Sequence, residues 1–206
     1  MSDTRIFVGA MAAGVAAIAA AWFLYAKTST SSFSGEDGPG PNLVIDISGQ
    51  GAQGTVVIDL LPDVAPQHAQ RLTELAEAGA YDNVVFHRVI DGFMAQTGDV
   101  EFGKADGGQL DLAGSGKSDL PNLPAEFSDI PFLRGIVGMA RSNRPDTANS
   151  QFFIMFAPGE FLNGDYTVVG HVVSGMDVVD KIKRGDPDRN GLVEDPDRMV
   201  TVRVDR

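Results

Sequence analysis

Hydrophobic and polar residues divide this chain into three unequal parts. Ile6 to Ala26 is an unbroken uncharged run between Arg5 and Lys27, apolar all round, with no polar stripe. A helix of that length would reach ~31 Å, enough to cross a bilayer core, and an amphipathic core helix would look different. Trp22 and Tyr25 at its far end favour a retained single-pass span, as interfacial aromatics do. The small residues Ala19-Ala20-Ala21 leave signal cleavage open. Arg5 and the amino terminus set against Lys27 bias the N-terminus to the cytoplasm, so the residues after Lys27 are expected on the exported side of a cell membrane. Residues 1–27 are thus expected to be a membrane anchor or signal segment that meets lipid through residues 6–26. Residues 28–42, dense in Ser, Thr, Gly and Pro, are expected to be a flexible tether.

From Leu43 the pattern turns strand-like. "NLVIDIS" and "GTVVIDLL" are β-branched runs flanked by glycine, and Gly49 to Gly54 between them reads as a hairpin connection. "APQHAQRLTELAEAG" places Ala69, Leu72, Leu75 and Ala76 on one helical face, with Pro66 suited to the first turn and Gly79 to the stop. Further strands are predicted at Val84–Val89, Phe93–Thr97, Ile136–Ala140, Gln151–Phe156, Thr167–Val173 and Met199–Val204. A second helix is predicted over "GMDVVDKIKRG". Residues 43–206 are therefore expected to form a mainly β domain: a closed eight-stranded antiparallel barrel capped by two helices, since closure removes exposed edges.

Composition narrows the chemistry. The 206 residues carry a formal net charge of −12, the opposite of the basic footprint of a nucleic-acid binder, so no nucleic-acid partner is expected. Cysteine is absent, which excludes thiol nucleophiles, disulfides and Cys-ligated zinc. Serine hydrolase chemistry lacks its G-x-S-x-G turn. His68, His87 and His171 have no metal-ligand spacing and read as structural or exposed. "DPDRNGLVEDPD", Asp186 to Asp197, resembles the start of a calcium loop, but Pro196 before its twelfth position admits no exiting helix, and a solvated turn is the better reading. No metal is expected.

"FHRVIDGFMAQTGD", Phe86 to Asp99, sets an arginine among large apolar residues and follows it with a glutamine. This block, then "GIVGMARSN", "NSQFFIMFA" and "FLNGDYTVVGHVVSGMDVVDKI", resembles in order the signature blocks of the cyclophilins, a family of peptidyl-prolyl cis-trans isomerases. The resemblance spans roughly Leu43 to Asp205. It implies a barrel with a proline-binding groove on its outer face, no cofactor, and proline-containing polypeptides, unfolded or flexible, as partners. The resemblance assigns Arg88, Phe93 and Gln96 to catalysis. It assigns Met94, Ala140, Arg141, Gln151, Phe153, Phe161, Leu162 and Tyr166 to the substrate groove.

These residue types suit that chemistry. Rotation about an X–Pro bond meets a barrier of ~18–20 kcal/mol, because the nitrogen lone pair is delocalised into the carbonyl. In the twisted transition state the lone pair returns to the nitrogen, and a donor placed there stabilises that state alone. An arginine has several donors, stays charged and transfers no proton. Strand alternation puts Met94 and Gln96 on one face and Phe93 on the other, so a distortion at Asp91-Gly92 is expected to bring Phe93 round. Two positions depart from the family pattern. Phe161 replaces a common tryptophan and Tyr166 a common histidine, and without the indole N–H weak cyclosporin binding is expected. The middle of the long polar segment Glu101 to Ser128 has no assigned counterpart. The expected function is an anchored, exported isomerase that assists folding of exported proteins. The alternative is a catalytically weak proline-peptide binding or chaperone module.

Overall fold

The computed structural model describes residues 35–107 and 109–206, and Gly35–Arg206 forms one compact unit. The expected anchor or signal, the lipid contact through residues 6–26 and the tether as far as residue 34 lie outside the described residues. Among the described residues no helix is long and apolar enough to cross a membrane. The last part of the expected tether is held to the domain: Gly38 N–H donates to Asp59 Oδ2 at 3.1 Å and Leu60 N–H to the Pro41 carbonyl at 3.1 Å.

The first two strands are β1 (Asn42–Ser48) and β2 (Gln53–Leu60), an antiparallel hairpin closed by the pair Ser48↔Gln53. Helix α1 (Pro66–Glu77) comes next, with proline in its first turn; Ala69, Leu72, Leu75 and Ala76 are buried, as the spacing predicts. The helix has no side-chain cap of its own. Glu126, far along the chain, takes the Gln67 and His68 N–H groups, each at 3.1 Å, so a distant carboxylate satisfies donors that a local Ser or Asp usually would. The remaining strands are β3 (Val84–Val85), β4 (Arg88–Ile90), β5 (Met94–Thr97), β6 (Ile136–Met139), β7 (Phe152–Met155), β8 (Val168–Ser174) and β9 (Arg198–Asp205).

Three expectations need correction. The eight-stranded closed barrel is instead a curled nine-stranded antiparallel sheet, in the order β3-β9-β1-β2-β8-β6-β7-β5-β4. The single strand predicted over Val84–Val89 breaks at Phe86-His87. Phe86 N–H bonds to the Asp197 carbonyl at 2.8 Å and the His87 carbonyl accepts from Val193 N–H at 3.1 Å, so these two residues pair with the late segment and leave the ladder. β3 then pairs with β9 and β4 with β5, and the two ends of the sheet are consecutive pieces of one segment. The second helix is also shorter than predicted: α2 is Met176–Val179, continued by turns to Ile182. At Lys183 the backbone N–H turns to the buried carboxylate of Asp197 at 2.8 Å, which draws the chain off the helical path.

Strand alternation separates two apolar layers. Val89, Ala95, Val137, Phe152 and Ile154 join the interior core with β1, β2 and α1. Met94, Phe153 and Met155, equally buried, face the other side of the sheet.

Candidate functional site

The outer side of β4–β5–β7–β6 carries a transverse row. Arg88 pairs with Gln96, Gln96 with Phe153 and Phe153 with Gly138, and residues directly opposite in an antiparallel ladder project to the same face. A charged group, an amide and an aromatic ring thus stand in line on three neighbouring strands. The glycine at the end of the row has a steric reason. A Cβ there would lie 2.4 Å from Phe153 and 2.6 Å from Phe132, two rings that stack at 5.8 Å, so only glycine admits them. The β4–β5 connection, Asp91-Gly92-Phe93, is closed by Phe93 N–H on the Ile90 carbonyl at 3.1 Å, with Gly92 at φ +68°. That left-handed residue is the expected distortion, and Phe93 joins the same cavity as Met94 and Gln96.

Arg88 is fixed from two sides. Its Nε and one terminal nitrogen donate to the carbonyl and Oδ1 of Asn190, each at 3.1 Å, and the other terminal nitrogen donates to Gln96 Oε1 at 3.0 Å. Three of the five guanidinium N–H groups are used, which leaves two for a ligand. Burial pulls the group below its ordinary value, with Tyr166 opposing, yet a guanidinium keeps its charge through the working pH range. The polar chain continues: Gln96 donates to Gln151 Oε1 at 2.9 Å, and Gln151 donates to the carbonyls of Gly114 and Gly116 at 3.1 and 2.8 Å.

Beside the arginine is a cavity of about 270 Å³, smaller than a typical drug-sized ligand pocket and suited to one small residue. Met94 and Phe153 lie at its base; Leu162 is 5% exposed, and Phe161 is 71% exposed. Phe93 and Phe161 lie 5.3 Å apart. Tyr166 meets Phe153 edge-on at 6.1 Å and has the Arg141 guanidinium 4.2 Å above its ring. Arg141 also donates to the Asp165 carbonyl at 2.8 Å, which fixes it along the rim beside Ala140. Of the residues proposed from sequence for the site, only Gln151 is outside this cavity, one hydrogen bond behind Gln96.

A second cavity of about 480 Å³ adjoins the first and shares Gln96, Ala140 and Arg141 with it. Part of its wall comes from the middle of the segment Glu101 to Ser128, which the family pattern left unassigned. Asp99, fully buried, accepts four backbone N–H groups, from Glu101, Phe102, Gly114 and Gly116, at 2.7–3.1 Å. This carboxylate folds the loop back so that Gly114 to Lys117 face the groove.

Sequence reasoning missed Asn190. It sits in the supposed calcium-like turn, at φ +55°, with both oxygens turned to Arg88. Asn followed by Gly marks a left-handed turn, but nothing local says what that turn holds. Asp197 of the same stretch is buried and accepts from Gly51, Ala52 and Lys183 N–H. All three histidines are buried. His68 Nδ1 lies 2.6 Å from Glu126. His87 lies under Gly114, and burial pushes its imidazole down to about 4 against the pull of Asp99.

Comparison with known proteins agrees with this architecture. The sequence model described as cyclophilin type peptidyl-prolyl cis-trans isomerase/CLD matches residues 44–204. A probable peptidyl-prolyl cis-trans isomerase of Brucella suis is 58% identical over 154 residues, 74% of this chain and 78% of that protein. Peptidyl-prolyl cis-trans isomerase 9 of Schizosaccharomyces pombe is 36% identical over 74% of this chain, a match that covers 24% of the longer yeast protein. Among solved structures, cyclophilin AquaCyp293 from Hirschia baltica superimposes with a TM-score of 0.65 at 24% identity, over 81% of this chain and 74% of its own. A Cryptosporidium parvum cyclophilin-type isomerase, solved in the presence of the dipeptide Ala-Pro, gives 0.66 at 22% identity, over 80% and 99%.

Proposed function

The chain belongs to the cyclophilin-type peptidyl-prolyl cis-trans isomerases, and from that premise we propose that it rotates X–Pro bonds of flexible polypeptides by placing the proline in the 270 Å³ cavity under the Arg88 guanidinium. The observation that carries this reading is the arginine's anchorage. Asn190 and Gln96 hold three of its donors, and the two left over border the cavity lined by Phe93, Met94, Phe153 and Leu162. A donor fixed beforehand needs no reorganisation when the prolyl nitrogen regains its lone pair, so its effect falls on the transition state. Met94, Phe153, Leu162 and Phe93 keep the pyrrolidine ring dry, which disfavours the more polar planar amide. Gln96 acts as the lever that holds Arg88, and Gln151 fixes Gln96 in turn. No proton moves and no covalent bond forms or breaks.

The uncharged run at residues 6–26 and the tether after it support placing this activity outside the cytoplasm, on a single-pass anchor or after signal cleavage, where exported chains fold. Intact-mass measurement of the membrane-extracted protein distinguishes anchor from cleaved signal. Two-dimensional NMR exchange on an acetyl-Ala-Ala-Pro-Ala-amide peptide tests the chemistry. Catalytic amounts are expected to bring the cis/trans exchange, tens to hundreds of seconds unaided, to a sub-second rate. Binding without faster exchange would mean a proline-peptide binding module instead.

A further inference from the structure

Four positive side chains of this acidic protein line two adjoining cavities without a carboxylate among them. Lys117, Arg141 and Arg144 line the 480 Å³ cavity, whose wall contains no Asp or Glu, and Arg88 stands in the proline cavity beside it, equally without a carboxylate. Elsewhere among the described residues, Arg134, Lys181, Arg184, Arg189, Arg203 and Arg206 each form an ion pair, and Lys104 and Lys183 donate to backbone carbonyls. Among the described residues none of the four groove cations pairs with a carboxylate. Arg141 bonds to carbonyls, Lys117 Nζ reaches only Asn122 Oδ1 at 3.4 Å, and the Arg144 guanidinium has no hydrogen-bond partner among the described residues. The neighbouring acids are turned to backbone groups: Glu101 accepts from Lys117 N–H at 3.2 Å and Asp146 from Ala125 N–H at 2.9 Å. Asp111 lines the cavity on the far side of Gln96.

A molecule of net charge −12 repels an anionic peptide at long range, but at about 0.1 M salt charges beyond ~10 Å are screened and the local field decides. Because the two cavities share a wall, and an extended peptide advances ~3.3–3.6 Å per residue, a side chain a few positions from the bound proline reaches Lys117 and Arg144. We propose that this groove selects proline peptides carrying an Asp or Glu close to the proline, with Lys117 and Arg144 as the specificity-determining cations. The proposal rests on the proline reading of the smaller cavity.

The test uses the detergent-solubilised full chain and capped, otherwise neutral octapeptides with a central Ala-Pro, in which one Glu or one Lys is walked through three positions on either side. Exchange spectroscopy at about 0.1 M salt gives kcat/KM for each. At one position at least, Glu is expected to exceed Lys by about five- to tenfold, an effect carried by KM and reduced to less than twofold in about 1 M salt. In the Lys117→Gln/Arg144→Gln double variant that ratio is expected to fall towards one, with turnover of the neutral peptide on the same sample showing that the variant is folded. A flat Glu/Lys comparison with the neutral peptide still accelerated overturns the charge preference alone. A preference that persists in the double variant overturns its assignment to these two cations. Failure to accelerate any peptide overturns the proline-site reading and this proposal with it.

Discussion

Replacing Arg88 by alanine separates anchorage from catalysis. On the proposed mechanism the three bonds to Asn190 and Gln96 persist through the reaction and contribute position only, whereas an N–H offered to the prolyl nitrogen counts only when the amide is twisted. A hydrogen bond from a charged donor is worth ~1.5–3 kcal/mol, and in a largely dry cavity the upper part of that range applies. About 2.7 kcal/mol corresponds to ~100-fold in kcat/KM. The acceptors left behind on Asn190 lie at the surface, and Gln96 is only partly buried, so water can reach them and the fold is expected to survive. Arg88→Lys has one terminal nitrogen, which cannot span Asn190 and Gln96 together, and less than tenfold recovery is expected. Asn190→Gly keeps the left-handed turn at φ +55° and removes one anchor, so kcat is expected to fall ~3–10-fold with KM little changed. The measurement is peptide exchange by NMR across the series, with thermal unfolding followed in parallel by circular dichroism. An Arg88→Ala protein within threefold of wild type, and equally stable, would refute transition-state donation by this residue.

Stability should fall on acidification because His87 is held at about 4 in the fold against an ordinary 6.5. The unfolded chain therefore takes up its proton first: the contribution is complete above about pH 6.5, declines towards pH 4 and is flat below it, an effect of ~3 kcal/mol to which the depressed His68 adds in the same direction. Urea midpoints from pH 7.5 to 4.5 should show that slope, and His87→Asn should flatten it; an unchanged slope would assign the pH dependence to other groups. Deleting Met1 to Ser32 is expected to give a soluble, fully active domain, since the strands and the groove begin later, and loss of folding or turnover would make those residues part of the domain. Phe161→Trp supplies an N–H at an exposed rim position and is expected to tighten cyclosporin inhibition about ten- to hundredfold with little change in kcat/KM; equal inhibition constants would point to Tyr166 or the loop carrying Gly114 to Lys117 as the determinant.

Local pattern was enough for the β1–β2 hairpin, the buried face of α1 and the run of strands, because hydrophobic period and glycine punctuation act over a few residues. It was enough, too, to put Met94 and Gln96 on one face of their strand, whereas the pairing that sets Arg88 opposite Gln96 came from the structure. What it did not reveal lies in bonds between segments far apart in the chain. Asn190 holds Arg88 across 102 positions, Glu126 caps α1 from 58 positions away, and Asp99 folds the 101–117 loop against the groove by collecting N–H groups that no propensity assigns to it. The break at Phe86-His87 has the same origin. The sequence there reads as one continuous strand, and its backbone groups leave the ladder only because Asp197 and Val193 arrive from the other end of the domain to pair with them. A side chain's type and spacing set which partners it can accept, but a buried donor or acceptor must be satisfied by whatever the closed fold brings within about 3 Å, and that is decided only when the distant segments meet.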